Sequence, residues 1–461
     1  MHIPLVEPIV EPILYQTDST AYLSRVRKLG RAVLVDSCAN QIDGGRYDIV
    51  SAEPTFTINH TYLSPAQTNA TSTTKQLSPF EQIRNKLAQT RSLGSPPEGL
   101  PFMGGFIGYL GYESGMELEG VQLTADRKVN LPDIKLGWYE WAVVNDHLKK
   151  RCFLVALPGF DKNKFNSIKN ILTHSDTTKA ATTPFKLKTP FVSNTTFSQY
   201  RTAFNKVIDY IHAGDCYQVN LSQQFSSSYS GDTWDAYQRL RQATPSPYSA
   251  YMEFDQGALL SLSPEQFISL NQKQVATHPI KGTRPRGDSK KDDLMLAQAL
   301  ETSAKDRAEN LMIVDLLRND LGKSCVPGSI EVAELFKLHS FSNVHHLISS
   351  ITGTLRDDTD SIDLLAGCFP GGSITGAPKR RAMEIIAELE PHNRSLYCGS
   401  IGYIGANGDI NMNIAIRTLV CDKNNIYCWG GGGIVADSEV EMEYQECFDK
   451  IDRLINCLPL S

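Results

Sequence analysis

The spacing of apolar residues changes along this chain, and each change marks a different kind of element. Early segments alternate apolar and polar positions over short runs, as in RAVLVDS (Arg31–Ser37) and RYDIVSAEPTFTINH (Arg46–His60). Period-two runs separated by turn residues predict short β-strands. GGFIGYLGYE (Gly104–Glu113) sets glycines among aromatics, but it lacks the Gly-Lys-Ser/Thr of a phosphate loop and no capped helix is expected directly after it. In the second half the period lengthens. Asp292–Gly322 predicts a long helix, broken near Thr302 and Ser303 and stopped by Gly322. Gly399–Gly433 predicts three strands joined by turns at Asn407-Gly408 and near Asn424-Asn425. Asp437–Leu458 predicts a closing helix that starts at an Asp/Ser cap.

At about 100° per residue, Val440, Tyr444, Cys447, Phe448, Ile451, Ile455 and Leu458 form one apolar stripe of that last helix. Two polar stretches interrupt the periodic pattern. Ser64–Pro79 reads as a long loop, and Thr173–Pro190, rich in Thr, Lys and Pro, as a surface loop or linker. The chain therefore divides into residues 1–172, a connection 173–190 and residues 191–461, with no internal repeat.

The 461 residues are 41% hydrophobic, enough for a sizeable core. A net charge of −6 gives no reason to expect nucleic acid or an anionic membrane as partner. No apolar run reaches the roughly 18 residues of a spanning helix. The N-terminal MHIPLVEPIVEPILYQ has acids and prolines inside its apolar stretch and no basic lead, so no signal peptide is expected. The ten cysteines show no metal-binding spacing and read as free thiols of a reducing compartment. A cytoplasmic protein is the expectation.

Candidate chemistry gathers in three places. HPIKGTRPRG (His278–Gly287) holds Lys281 between two prolines that enforce an extended or turning backbone. A solvated lysine needs no such stiffness, whereas a lysine that must reach one substrate atom does. In the last helix Glu443, Glu446 and Lys450 fall within about 60° of one another. Spacing alone leaves open a solvated face with a Glu446–Lys450 pair, or two acids gathered on a cation. The preceding GGGGIV (Gly430–Val435) brings bare backbone N–H groups close to something, often an anion. Glu309 lies in an apolar helical stretch where burial demands a partner: an arginine, or a cation shared with Glu443 and Glu446. Hard oxygen ligands suit Mg²⁺ better than Zn²⁺.

PIKGTRPRG, KDRAENLMIVDLLRNDLG, VHHLISSITG, FPGGSITGAPKRRAMEII, CGSIGYI and EYQECFDK occur in this order between Thr196 and Leu458. Together they resemble the chorismate-utilising enzymes: anthranilate synthase component I, the isochorismate and salicylate synthases, and aminodeoxychorismate synthase component I. The resemblance implies an α/β (α+β) fold of two packed, mainly antiparallel sheets with helices outside, the sheets drawing strands from both halves. Anthranilate-type members carry alanine where this chain has Lys281; the aminodeoxychorismate branch carries P-I-K-G-T. That branch aminates chorismate at C4, on the way to 4-aminobenzoate and folate. Retention at C4 calls for two displacements and a protein nucleophile, a neutral lysine. Arg284 and Arg286 are candidates for helping to neutralise it.

The resemblance further implies catalytic roles for Lys281, Glu265 and His346, with His345 structural. Glu265 also reads as a helix N-terminal acid after Ser263-Pro264. Mg²⁺ would be held by Glu309, Glu443 and Glu446. Substrate contacts would come from Gly282, Thr283, Ser373, Tyr397, Arg417, Gly431, Gly433 and Lys450, with Arg417 suited to clamp a carboxylate. Ser37, Gly44, Gly45, Arg46, Tyr47, Pro247, Tyr248 and Ser249 match a tryptophan pocket. No G-x-C-x-G elbow is present, so ammonia would come from a separate glutamine amidotransferase subunit, and the pyridoxal-dependent lyase would also be separate. The alternatives are an anthranilate- or isochorismate-type synthase, and a non-catalytic tryptophan-binding subunit.

Overall fold

The computed structural model describes residues 7–41, 45–63, 77–90, 97–125, 127–173, 183–341 and 344–461. Two antiparallel sheets organise them, one of thirteen strands and one of ten. The larger sheet runs from Ile9–Ile13 through Tyr47–Ser51, Val33–Asp36, Tyr248–Phe254, Gly257–Ser263, Thr418–Asp422, Asn425–Ile434 and Gln218–Ser230 to Val192–Ser193. The smaller runs from Ile280–Pro285 through Val344–Thr354, Gln266–Asn271 and Ser400–Gly405 to Phe56–His60. Both sheets mix strands from before and after residues 173–190.

The alternating runs supply two cores because period two points alternate side chains to opposite faces. Phe106, Trp138, Val144, Leu259, Leu270, Trp429 and residues of helices Ala304–Gly322 and Lys379–Leu389 fill one. Leu34, Val50, Trp141, Leu260, Leu419 and the helices Thr20–Val26, Lys162–Thr173 and Thr233–Ala243 fill the other. The helix expected to break near Thr302 does so: Lys290–Glu301 and Ala304–Gly322 are separate, and Ser303 caps the second by accepting from the Asp306 N–H.

Four details differ from expectation. Gly399–Gly433 forms four strands in two sheets, because Ile414–Arg417 leave the smaller sheet for the larger. Their apolar side chains read as one continuous strand. A helix, Tyr112–Glu119, does follow GGFIGYLGYE; it starts at Gly111 without a side-chain cap, so no capping signature announces it. The last helix, Val440–Asn456, begins after Glu439, and the Ser438 hydroxyl, which accepts from the Val435 N–H, donates to the Glu443 side chain and caps no helix N–H. Of the polar stretches, 64–76 and 174–182 lie outside the described residues. Their ends are ordered elements: Ser78 closes a capping box on Pro79–Ala88, Thr173 ends a helix, and Lys186–Leu187 pair with Tyr229 and Ser230.

Candidate active site

The chain crosses between the sheets at two neighbouring places, and each crossing carries a candidate residue. Glu265 stands between Gly257–Ser263 of the larger sheet and Gln266–Asn271 of the smaller. It follows no helix start, so the helix-terminal alternative is excluded. Arg417 stands on the return crossing, in left-handed backbone at φ 49°. The crossings are tied together: Ser263 Oγ donates to Ile414 O at 2.6 Å and Ile414 N to Glu265 O at 3.0 Å.

Lys281 comes from the edge of the smaller sheet. Its strand slips register against Val344–Thr354 between Ile280 and Thr283. Such a bulge re-aims a side chain. Gly282, at φ 80°, makes the bulge possible, and any Cβ there would stand 2.7 Å from Leu300 and 3.0 Å from the Asp306 carboxyl. The aimed Nζ donates to Ser373 O and pairs with Glu309 Oε1, both at 3.0 Å. The Ser373 hydroxyl donates to Glu265 Oε1 at 3.1 Å, so one serine touches both the lysine and the acid. Burial pushes the Glu265 carboxyl up to about 7, against the opposing charge of Lys281 and the serine hydrogen bond. Burial pushes Glu309 upward, but Lys281, with Lys450 and the Gln218 hydrogen bond, holds that carboxyl below its ordinary value. The partner of Glu309 is thus the lysine, not an arginine. Arg284 and Arg286 do not serve Lys281, because they pair with Asp306 and Asp293 at 2.9 and 2.7 Å.

The glycine run is the end of strand Asn425–Ile434. A Cβ at Gly430 would lie 2.1 Å from Cys447 O, and one at Gly432 would lie 2.8 Å from Glu443 Oε2. At Gly433 it would overlap Gln218 Nε2 at 1.9 Å. The missing side chains thus let the last helix and Gln218 press onto the strand. Lys450 donates to Gly431 O at 2.7 Å and pairs with Glu446 at 2.6 Å. Glu443 accepts from Ser438 through Oε1, while its Oε2 is buried without a hydrogen-bond partner. Burial and the neighbouring Glu446 raise its carboxyl.

His346 pairs in register with Thr283, and its Nδ1 lies 2.9 Å from the threonine hydroxyl. Burial and the charge of Arg417 push its imidazole down to about 4, so it is neutral at pH 7. Burial lowers the Arg417 guanidinium too, and Glu265 is the acid that opposes this. Tyr397 is buried and stacks on Trp429, centroids 6.5 Å apart. His345 points away, between Ser340 and Asp293.

Among the described residues no group of three or more His, Cys, Asp or Glu side chains is disposed to hold a metal ion. Glu309 is turned to Lys281. The donor chemistry still suits a hard cation: Glu443 and Glu446 border Gly432, and a buried, unpartnered Glu443 oxygen lacks a positive charge.

Seven of the eight residues matched to a tryptophan pocket line one cavity of about 190 Å³, together with Gln266, Tyr403 and Asn413. Gly44 lies outside the described residues. A larger cavity of about 820 Å³, lined by Arg31, Asp232, Glu253 and Lys423, contains none of the candidate residues.

Gln218 escaped the sequence reading. Its Nε2 donates to Glu309 Oε1 at 3.2 Å and its Oε1 is buried and unpartnered. The available signal was period-two polarity: Gln218, Asn220, Ser222 and Gln224 alternate along one strand, and all are buried.

Residues 39–456 match a family model described as chorismate binding enzyme. The chain belongs to that family of enzymes. More particularly, it is 43% identical to aminodeoxychorismate synthase component 1 of Escherichia coli (strain K12) over 456 residues, 98% of each chain. The protein of that name in Bacillus subtilis (strain 168) is 34% identical over 467 residues, 98% of this chain and 97% of that one. Among solved structures, anthranilate synthase component I from Streptococcus pneumoniae TIGR4 matches with a TM-score of 0.76 at 28% identity, covering 89% of this chain and 92% of that one.

Proposed function

We propose that this chain is the chorismate-aminating component of an aminodeoxychorismate synthase, converting chorismate and ammonia to 4-amino-4-deoxychorismate and water. The observation that carries this reading is Lys281, aimed by a bulge at Ser373 O and Glu309, with Glu265 joined to it through the Ser373 hydroxyl. The full-length likeness to aminodeoxychorismate synthase component 1 supports it.

Lys281 attacks C2 of the ring as a free amine, and the C4 hydroxyl leaves as the ring double bond shifts. Glu265, held protonated near neutrality by burial, gives that hydroxyl its proton. Ammonia then adds at C4, and the reverse shift expels Lys281. Two displacements leave C4 with its original configuration. Neutral His346, fixed by Thr283, sits beside this step as a hydrogen-bonding partner. Arg417 has no ion-pair partner among the described residues and is free to clamp a substrate carboxylate. Gly282, Thr283, Ser373, Tyr397, Gly431, Gly433 and Lys450 complete the substrate surface. Mg²⁺ held by Glu309, Glu443 and Glu446 would neutralise the other carboxylate.

Ammonia comes from a separate glutamine amidotransferase subunit, a reading supported by the relatives' designation as component 1. Tryptophan occupies the 190 Å³ cavity as a structural ligand. No helix among the described residues is long and apolar enough to cross a membrane, and ten free cysteines support a reducing, cytoplasmic setting.

The test is product identity. Purified protein with chorismate, Mg²⁺ and ammonium makes 4-amino-4-deoxychorismate; Lys281→Ala loses it or diverts to a 2-amino product. Anthranilate or isochorismate from the unaltered protein would contradict the proposal.

A further inference from the structure

The nucleophile's strand is weakly held by its own sheet. Ile280–Pro285 stands at the sheet's end, with Val344–Thr354 as its one strand neighbour in the described sheet order. The ladder is broken by the bulge at Lys281 and Gly282, and Pro285 has no N–H to contribute. A carboxylate on the next helix fastens this strand. Asp293, in Lys290–Glu301, takes four hydrogen bonds. Arg286 gives two at 2.7 Å, the Gly287 backbone N–H gives one at 2.9 Å, and His345 Nε2 gives one at 2.9 Å. His345 is buried and pairs in register with Arg284, and its Nδ1 lies 2.8 Å from Ser340 Oγ on the adjoining strand. The next residue, His346, contacts Thr283. An exposed Arg–Asp pair contributes little by itself. Here the same carboxylate also binds a backbone N–H and a buried imidazole, so one side chain joins the helix, the lysine strand and the histidine strand.

We propose that Asp293 is a positioning residue that sets the aim of Lys281 at C2 relative to His346. The proposal rests on the reading of Lys281 as nucleophile. A mis-aimed lysine attacks C2 more slowly and leaves that carbon open to ammonia, so the products shift.

The test compares the unaltered chain, Asp293→Ala, Asp293→Asn, Arg286→Ala and Lys281→Ala, each given chorismate, Mg²⁺ and ammonium. Both the 2-amino and the 4-amino product are quantified. Asp293→Ala is expected to lose about 10- to 100-fold in kcat with chorismate KM within about twofold. Its ratio of 2-amino to 4-amino product rises. Asp293→Asn, which keeps an acceptor oxygen, lies between it and the unaltered chain. Arg286→Ala, which keeps the Gly287 and His345 links, shifts the ratio least. The ratio is independent of how much protein is folded, so a merely stabilising role leaves it unmoved. Should Asp293→Ala not fold, Asp293→Asn and Arg286→Ala decide. An unchanged ratio in the Asp293 variants alongside a changed one in Lys281→Ala overturns the positioning role alone. An unchanged ratio in Lys281→Ala overturns the nucleophile reading and this inference with it.

Discussion

The candidate active site and the smaller cavity are built on the same crossing, yet their hydrogen bonding differs. Glu265 faces the cleft and its neighbour Gln266 lines the cavity. In the cavity the polar groups are mostly committed. Ser37 gives both its N–H and its hydroxyl to Asp48, at 2.8 and 2.7 Å, Ser249 donates to Ser246 O, and Asn413 bonds Tyr248 O and Ile401 N. Gln266 Oε1 is the buried exception. In the cleft, Glu443 Oε2 and Gln218 Oε1 have no partner, and Glu265 and His346 are pushed toward their neutral forms. On the proposed reading, the saturated groups hold a ligand and the unsatisfied and perturbed groups act on one.

The largest expected effect that sharpens this contrast is at Glu265. Glu265→Gln should lower kcat by about 10²–10⁴-fold. In the proposed mechanism the protonated form is the donor, and the native carboxyl is raised to about 7, so the rate should fall as pH climbs through that value. The same shift has a stability sign. Between the ordinary 4.5 and about 7 the native state holds this proton more tightly than the unfolded chain. Its contribution is therefore full below that window and is lost as pH rises through it. Denaturant titrations of both proteins from pH 4 to 8, roughly spanning those values, should show a larger loss with Glu265 present than in Glu265→Gln, where Glu113, also raised to about 7 by burial, still titrates.

A smaller effect is expected at Glu443. Neutralising this buried carboxylate, whose Oε2 has no partner, with Glu443→Gln should raise the metal-free Tm by about 1–3 °C and abolish the stabilisation expected from added Mg²⁺ in the unaltered protein. A lower metal-free Tm together with an intact Mg²⁺ response would show that the oxygen is not waiting for a cation. The smallest effect on turnover should come from the cavity. Tryptophan should raise Tm, Gln266→Met should shrink that shift, and kcat should stay within about twofold. A parallel loss of kcat would break the distinction between the two regions.

Much of the fold was legible because period and punctuation agree: Ser303 both interrupts the helical pattern and caps the helix Ala304–Gly322. The crossing at Ile414–Arg417 was not legible, because an apolar run has the same pattern whether it stays in one sheet or leaves it. The uncapped start at Gly111 left no mark for a similar reason. At the site, Lys281 stood out through its stiff surroundings, and the long ordered motifs carried the resemblance. Gln218, Asp293 and Asp306 did not stand out, since their importance comes from contacts across 91, 52 and 22 residues of chain. Spacing within one segment cannot register such pairings. The arginines after Lys281 misled for the converse reason: nearness in sequence placed them beside the lysine, while the strand turned them toward two aspartates.

The central claim is that Lys281 becomes covalently joined to the substrate. The most direct measurement is peptide mass analysis after rapid quenching of the protein with chorismate and Mg²⁺ but no ammonia. The expected result is an added mass equal to chorismate less one water, confined to the peptide bearing Lys281 and discharged when ammonium is added before the quench. An unmodified Lys281 peptide under conditions where ammonium supports turnover would contradict it.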